Sequence, residues 1–287
     1  MDSTSLNPKG KFGTAPVFLT AISTILGAIM FLRFGYSVGQ VGVYGTIAII
    51  VIGHLVTIPT AMSLAEIATN QKVEGGGEYF IISRSFGLTI GAAIGIALYL
   101  SQAISVAFYL IAFTEAFEPV LPLINSHLPF EINKMIIGII SVTLLSWLML
   151  TKGASSGMVL LYVVVAILSV SLIMFFAGGP TEAFISPDTF HLNKEKNDFF
   201  FIFAIVFPAF TGMTAGVGLS GDLKNPKVSI PLGTLSATLI GMVIYVFIAV
   251  KLGSSATGAE LGNLDNQLIM ADIALWWPII PIGLAAA

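Results

Sequence analysis

Seven apolar runs of membrane-spanning length succeed one another along this chain, and no other feature constrains its fold as tightly. A helix needs about 20 residues to cross the hydrocarbon core of a bilayer, where every backbone N–H and C=O must be bonded within the protein. The runs cover Thr14–Tyr36, Val41–Leu64, Leu88–Phe117, Lys134–Thr151, Ser155–Ala177, Asp198–Leu219 and Pro231–Leu252. Polar stretches at Gly178–Asn197 and Gly253–Asp272 interrupt them, and a last apolar run of 12 residues, Trp276–Ala287, is too short to span. It reads as the start of an eighth helix, so the chain is expected to be a C-terminally truncated piece. Mean hydropathy is +0.96, with 56% hydrophobic and 9% charged residues, far more apolar surface than a water-soluble fold of this size can hide.

That excludes a soluble enzyme, a nucleic-acid-binding domain, a disulfide scaffold and a disordered chain. The net charge of −3 offers nothing to a nucleic-acid partner. Cysteine is absent, and His54, His127 and His191 fall on different segments. Neither a P-loop nor an HExxH is present, so the chain reads as no enzyme, with no cofactor and no metal beyond alkali cations. Its evident partner is the lipid bilayer.

Residues 1–13 read as a cytoplasmic N-terminal tail, because the apolar run after them is too long for a signal-peptide core. Alternating the spans from an inside N-terminus puts seven Lys and Arg in cytoplasmic segments and five outside. The bias agrees with that orientation and with a multi-pass protein of the plasma membrane.

Two spans carry helix-breaking residues at membrane depth. In the first, Ser23 and Thr24 precede Gly27; in the sixth, Pro208-Ala209-Phe210-Thr211-Gly212-Met213-Thr214 is followed by Gly216. Pro removes a helical hydrogen bond and Gly loosens the backbone, so freed polar groups there must face protein, water or ligand. Either break alone reads most simply as a packing kink. As a pair five spans apart, they fit a five-plus-five inverted repeat with its site between the broken helices. Residues 14–183 would form the first repeat, 184–197 an outer loop, and 198–287 a truncated second repeat.

Gly75-Gly76-Gly77-Glu78-Tyr79-Phe80-Ile81-Ile82-Ser83-Arg84-Ser85-Phe86-Gly87 resembles the glycine-rich signature of the cation–chloride cotransporters. Phe207-Pro208-Ala209-Phe210-Thr211-Gly212 and Ser220-Gly221-Asp222-Leu223 resemble their sixth helix, and Ser229-Ile230-Pro231-Leu232-Gly233-Thr234 the run after it. The family belongs to the amino acid–polyamine–organocation superfamily. The resemblance implies an all-α polytopic membrane protein of LeuT-type fold, here helices one to seven and the start of eight. The short tail and lack of cysteine look prokaryotic.

It further implies a secondary active transporter carrying K+ with Cl−, with Na+ undecided. Matched position by position, K+ would be held by the carbonyls of Thr24, Ile25 and Pro208 and the hydroxyls of Tyr109 and Thr211. Cl− would lie on N–H groups at Gly27, Ala28 and Ile29, and at Gly212, Met213 and Thr214. A Na+ site would use the carbonyls of Ser23 and Leu26 and hydroxyls just beyond Ala287. The resemblance leaves a homodimer open.

Amino acid and polyamine permeases of the same superfamily are the alternative. Ile29 and Met213-Thr214 stand where bare glycine or room for a carboxylate would suit them, so the site is expected to be ion-sized. A fragment that only packs or associates in the membrane is a further alternative. Arg33 lies six residues past Gly27 and Glu115 six past Tyr109, each about 9 Å outward at 1.5 Å per residue. Charges at that depth pair, so an Arg33–Glu115 outer gate is expected. Glu66 and Arg84 are candidates for an inner gate, Asp222 for ordering a loop, His54 for packing, and Gly87, Gly91 and Gly95 for a close helix contact.

Overall fold

The computed structural model describes residues 12–70, 77–152, 157–181, 187–190 and 199–287. The tail at 1–11, Gly75 and Gly76 of the glycine-rich signature, and the outer loop at 184–186 and 191–197 lie outside the described residues. α1 (Thr14–Ile25) ends at the first break, and α2 (Ala28–Asn70) carries the rest of the first apolar run and all of the second. Those two runs meet at Gly42, whose φ of 77° suits glycine and lets the chain turn between them. α3 (Gly77–Phe86), α4 (Leu88–Glu115), α5 (Leu121–His127), α6 (Lys134–Lys152) and α7 (Gly157–Ala177) come next.

The sixth run opens as α8 (Phe199–Val206) and continues as two 3-10 segments, Phe207–Phe210 and Gly212–Asp222. An ordinary second half-helix was the expectation here. Eleven residues of 3-10 helix are unusual, and four of them are glycines with low α-helix propensity. α9 (Pro226–Ser255) is long and unbroken, and α10 (Gly258–Leu261), α11 (Ile269–Ile273) and α12 (Ile279–Ala286) complete the chain. Among the described residues no strand forms; Phe12 and Leu223 make an isolated bridge. Ala28–Asn70, Leu88–Glu115, Leu160–Ala177, Phe199–Asp222 and Pro226–Ser255 are long and apolar enough to cross a membrane. The protein is therefore all-α, polytopic and built for the bilayer.

α1 and α9 lie side by side and run in the same direction. A Cβ built on Gly233 would come 2.6 Å from Val17 Cγ1, and one on Gly241 would come 2.7 Å from Ile25 Cγ2. The step is eight residues on each helix, from 17 to 25 and from 233 to 241, which fixes the parallel register. Missing side chains on α9 let the two backbones approach. α9 continues where α1 stops, and so runs past the break. Of the glycine stripe expected to make a close helix contact, Gly91 and Gly95 approach α3 at Ser83 and Tyr79, whereas Gly87 sits at the turn before α4 with open space around it.

The core is centred at the level of the two breaks. Phe34, Phe210 and Tyr245 are fully buried; Tyr245 stacks on Phe34 at 4.5 Å and meets Phe210 edge-on at 5.4 Å. His54 packs on Phe210 at 4.8 Å while its Nδ1 bonds the Ile50 carbonyl at 2.7 Å, which is the packing role expected of it.

Candidate functional site between the broken helices

The first break is a local consequence of Gly27. The Leu26 N–H still bonds the Ile22 carbonyl at 2.8 Å, closing the last turn of α1, and the Met30 N–H bonds the Gly27 carbonyl at 3.0 Å, opening the next helix. Between them the N–H groups of Gly27, Ala28 and Ile29 find no acceptor among the described residues. These are the unpaired donors of a helix start, with the positive end of its dipole. At the second break the Thr211 N–H and hydroxyl both donate to the Pro208 carbonyl, at 3.3 and 2.8 Å. Thr211 thereby spends its proton inward and keeps its oxygen lone pairs for whatever faces it.

The two breaks lie directly against each other. A Cβ on Gly212 would sit 2.8 Å from Thr24 C and 2.8 Å from Ile25 N, so only glycine fits at this crossing. Gly27 in turn lies 3.8 Å from the edge of the Tyr109 ring by the same construction, which brings α4 to the pair. Thr24 and Ser23 turn their hydroxyls back on the Thr20 carbonyl, at 2.8 and 3.0 Å.

A cavity of about 1220 Å³ opens beside this crossing. Of the residues singled out from sequence, Ser23, Thr24, Ile29, Arg33, Tyr109, Pro208, Thr211, Gly212, Thr214 and Ala287 line it. Ile25, Leu26, Gly27, Ala28 and Met213 are buried behind its wall. Tyr109 is 37% exposed, and its hydroxyl has no hydrogen-bond partner among the described residues. It is not a core tyrosine tied to a neighbouring backbone.

Three expectations change. The cavity beside the crossing exceeds even the ~300–1,000 Å³ usual for organic ligands, wider than the ion-sized space expected. Met213, expected to narrow it, is 4% exposed and packs in the core. A 3-10 helix repeats every three residues, so Gly212, Ala215 and Gly218 share the cavity face and Met213 falls on another.

The Arg33–Glu115 ion pair does not form in this structure. Glu115 Oε2 takes Lys134 Nζ at 2.8 Å, and the same ammonium bonds Glu118 Oε2 at 3.0 Å. α4 ends where α6 begins, so the flexible lysine at the start of α6 reaches both carboxylates at once. Arg33 acts on Glu115 only through space and sits on the cavity wall, one turn along α2 from Ile29. Arg33 thus shares the cavity of the two breaks. Glu78 of α3 is also on its wall, a placement that its position within the glycine-rich signature did not reveal.

Tyr245 is the residue that sequence reasoning missed. Its hydroxyl donates to the Ile25 carbonyl and lies 3.5 Å from the Ala209 carbonyl, joining both breaks to α9. A signal existed: a lone phenol within an apolar span must find a partner, and Gly241 one turn earlier marks the close approach that supplies it.

A family model described as "Amino acid permease" matches residues 16–280. The chain belongs to the amino acid permease family. It is also similar to solute carrier family 12 member 2 of Mus musculus, 35% identical over 280 residues. That alignment takes in 90% of this chain and 23% of the relative. Solute carrier family 12 member 1 of Homo sapiens is 33% identical over 278 residues, 90% of this chain and 25% of the relative. Member 3 of Mus musculus is 32% identical over 268 residues, 88% and 27%. This permease-family chain thus spans about a quarter of the length of the curated relatives it matches. The family comprises multi-pass membrane transporters of LeuT-type fold rather than enzymes, in keeping with the broken-helix pair.

Proposed function

We propose that this permease-family protein is a secondary active transporter that moves K+ together with Cl− by alternating access at the crossing of its two broken helices. The face-to-face packing of the breaks, with Gly212 against Thr24 and Ile25, is the observation that carries this reading. A desolvated cation needs several oxygens to replace its water shell. The carbonyls of Thr24, Ile25 and Pro208 and the hydroxyls of Tyr109 and Thr211 are the donors we assign to it. An anion needs N–H groups and a positive dipole end, which Gly27, Ala28 and Ile29 offer on one side and Gly212, Met213 and Thr214 on the other. Arg33 on the cavity wall would attract the anion towards the first of these.

Each ion offsets the desolvation of the other, so that K+ without Cl− would be a poorly compensated charge in low dielectric. That is the physical basis for electroneutral coupling. The similarity to solute carrier family 12, the cation–chloride cotransporters whose motifs this chain resembles, supports the same reading. Na+ would join through the carbonyls of Ser23 and Leu26 beside Ala287. The protein would lie in the plasma membrane with its N-terminus in the cytoplasm, residues 14–183 and 198–287 forming its two repeats.

Transport of an amino acid or polyamine is the second reading, and the 1220 Å³ cavity favours it, since that volume admits an organic substrate. Uptake of radioactive Rb+ into proteoliposomes, with external Cl− present or replaced by gluconate and Na+ varied, separates the two. Uptake that collapses without Cl− supports cotransport, and its Na+ dependence decides the third ion. Rb+ uptake indifferent to Cl−, or none while a labelled amino acid enters, overturns cotransport in favour of the permease.

A further inference from the structure

We infer that Tyr245 is a positioning residue for the cation site: its buried hydroxyl ties the Ile25 and Ala209 carbonyls across the two breaks, and so sets the size of cation that the site prefers. The inference rests on the cation-transport reading above and deepens it from the class of ion to selectivity within that class.

The geometry leaves the phenol little freedom. α9 lies against α1 in parallel register, and Gly241 lets it touch Ile25. One turn further on, Tyr245 is 0% exposed, with its ring stacked at 12° on Phe34 beyond the first break and edge-on to Phe210 within the second. The ring is therefore clamped from both broken helices, by Phe34 past the first break and by Phe210 in the 3-10 segment Phe207–Phe210 of the second. Its hydroxyl donates to the Ile25 carbonyl and keeps the Ala209 carbonyl at 3.5 Å.

Ile25 ends α1, so its carbonyl has lost its helical partner. A carbonyl oxygen has two lone pairs, and the tyrosine proton takes one. The other is left to point along a direction that the hydrogen bond fixes. Carbonyls held at fixed spacing discriminate among cations by size, whereas carbonyls free to tilt adapt to whichever ion enters. Tyr245→Phe removes the hydroxyl and leaves the ring clamp, so it should loosen the Ile25 carbonyl without dismantling the crossing.

The test is the melting temperature of the purified protein, titrated with Na+, K+, Rb+ and Cs+ at constant Cl−, and with Cl− at constant K+. In Tyr245→Phe, the half-saturating K+ concentration should rise about threefold to tenfold, the range spanned by one net hydrogen bond. Discrimination among the four cations should narrow, while the half-saturating Cl− concentration stays within about twofold. A variant that melts lower without ions yet keeps the wild-type half-saturation and cation order overturns the inference and makes Tyr245 a packing residue. Should Tyr245→Phe fail to fold, 3-fluorotyrosine placed at 245 keeps the shape and strengthens the donor. A shifted K+ half-saturation in that protein upholds the inference, and an unshifted one overturns it. If no alkali cation stabilises the wild type, this inference and the cation reading fall together; if cations stabilise the wild type and both variants alike, only this inference falls.

Discussion

Gly212 rests on the end of α1 at Thr24 with no space for a single extra carbon, 2.8 Å separating a built Cβ from the Thr24 carbonyl carbon. Two of the three nearest atoms in that contact, Thr24 C and Ile25 N, are backbone and cannot rotate away as a side-chain tip could. Gly212→Ala must therefore push the two breaks apart. The expected loss is about 1–3 kcal/mol of stability, the usual effect of overpacking a core. Substrate uptake should fall far more than stability does, because every donor assigned to the site except the Tyr109 hydroxyl lies on one of the two broken helices. Thermal melting and proteoliposome uptake of the same preparation check both parts.

Tyr109→Phe should separate function from stability more cleanly. The phenol hydroxyl lines the cavity and bonds nothing among the described residues, so its removal leaves no orphaned partner. Stability should change by less than about 0.5 kcal/mol. Loss of a ligand from a charged ion should reduce Cl−-dependent Rb+ uptake about tenfold or more. Unchanged uptake in a well-folded Tyr109→Phe protein would remove Tyr109 from the cation site.

Much of this site could be read from the sequence, and what could not has specific physical causes. Gly27 beside Ser23 and Thr24, and Pro208 close to Thr211 and Gly212, mark the breaks locally; Pro231, Gly233 and Gly241 sit inside the unbroken α9, so it is the clustering with hydroxyls at membrane depth and the five-span separation that make the pair legible. Thr24 and Thr211 are legible for a related reason, because hydroxyls beside a break at membrane depth need a polar neighbour. Met213 went astray because its position directly after Gly212 was taken to put its side chain in the site, whereas in the 3-10 segment it turns into the core. Glu115 found Lys134 rather than Arg33 because long charged side chains choose partners through tertiary placement that spacing along one helix does not contain. Tyr245 depends on the register of α9 against α1, a relationship between segments 220 residues apart.

Lys134 between Glu115 and Glu118 carries its own expectation. The Lys134 side chain is 38% exposed, and those of Glu115 and Glu118 are 16% and 52% exposed, so water screens much of the attraction. Such pairs contribute on the order of 0–1 kcal/mol. Glu118→Gln should have a smaller effect than Glu115→Gln, since Glu115 is the more buried partner and holds the shorter bond. Lys134→Met should exceed either, because it leaves two neighbouring carboxylates facing each other without a cation. Melting temperatures of the three single variants at low and high salt test that order, and the differences should shrink as salt rises.

Glu260 gives the loop after α9 a dependence on acidity. Partial burial pushes its carboxyl upward, but three hydrogen bonds outweigh that effect: those from the Thr257 N–H and hydroxyl, each at 2.8 Å, and one from the Thr181 hydroxyl at 3.0 Å. The carboxyl is held below its ordinary value of 4.5. A group whose pKa is lower in the folded state stabilises that state while ionised, and the contribution disappears as pH falls. It should be complete above about 4.5, decline below it, and be gone once pH passes below the depressed folded value. The Thr257 hydroxyl also accepts from the Glu260 N–H at 3.3 Å, completing a capping box at the start of α10, so the effect should concentrate there. Amide exchange at residues 257–262 should accelerate on acidification in the wild type, whereas in Glu260→Gln it should be faster throughout and much less sensitive to pH after correction for intrinsic exchange. Equal pH sensitivity in both proteins would mean that some other carboxylate orders this loop.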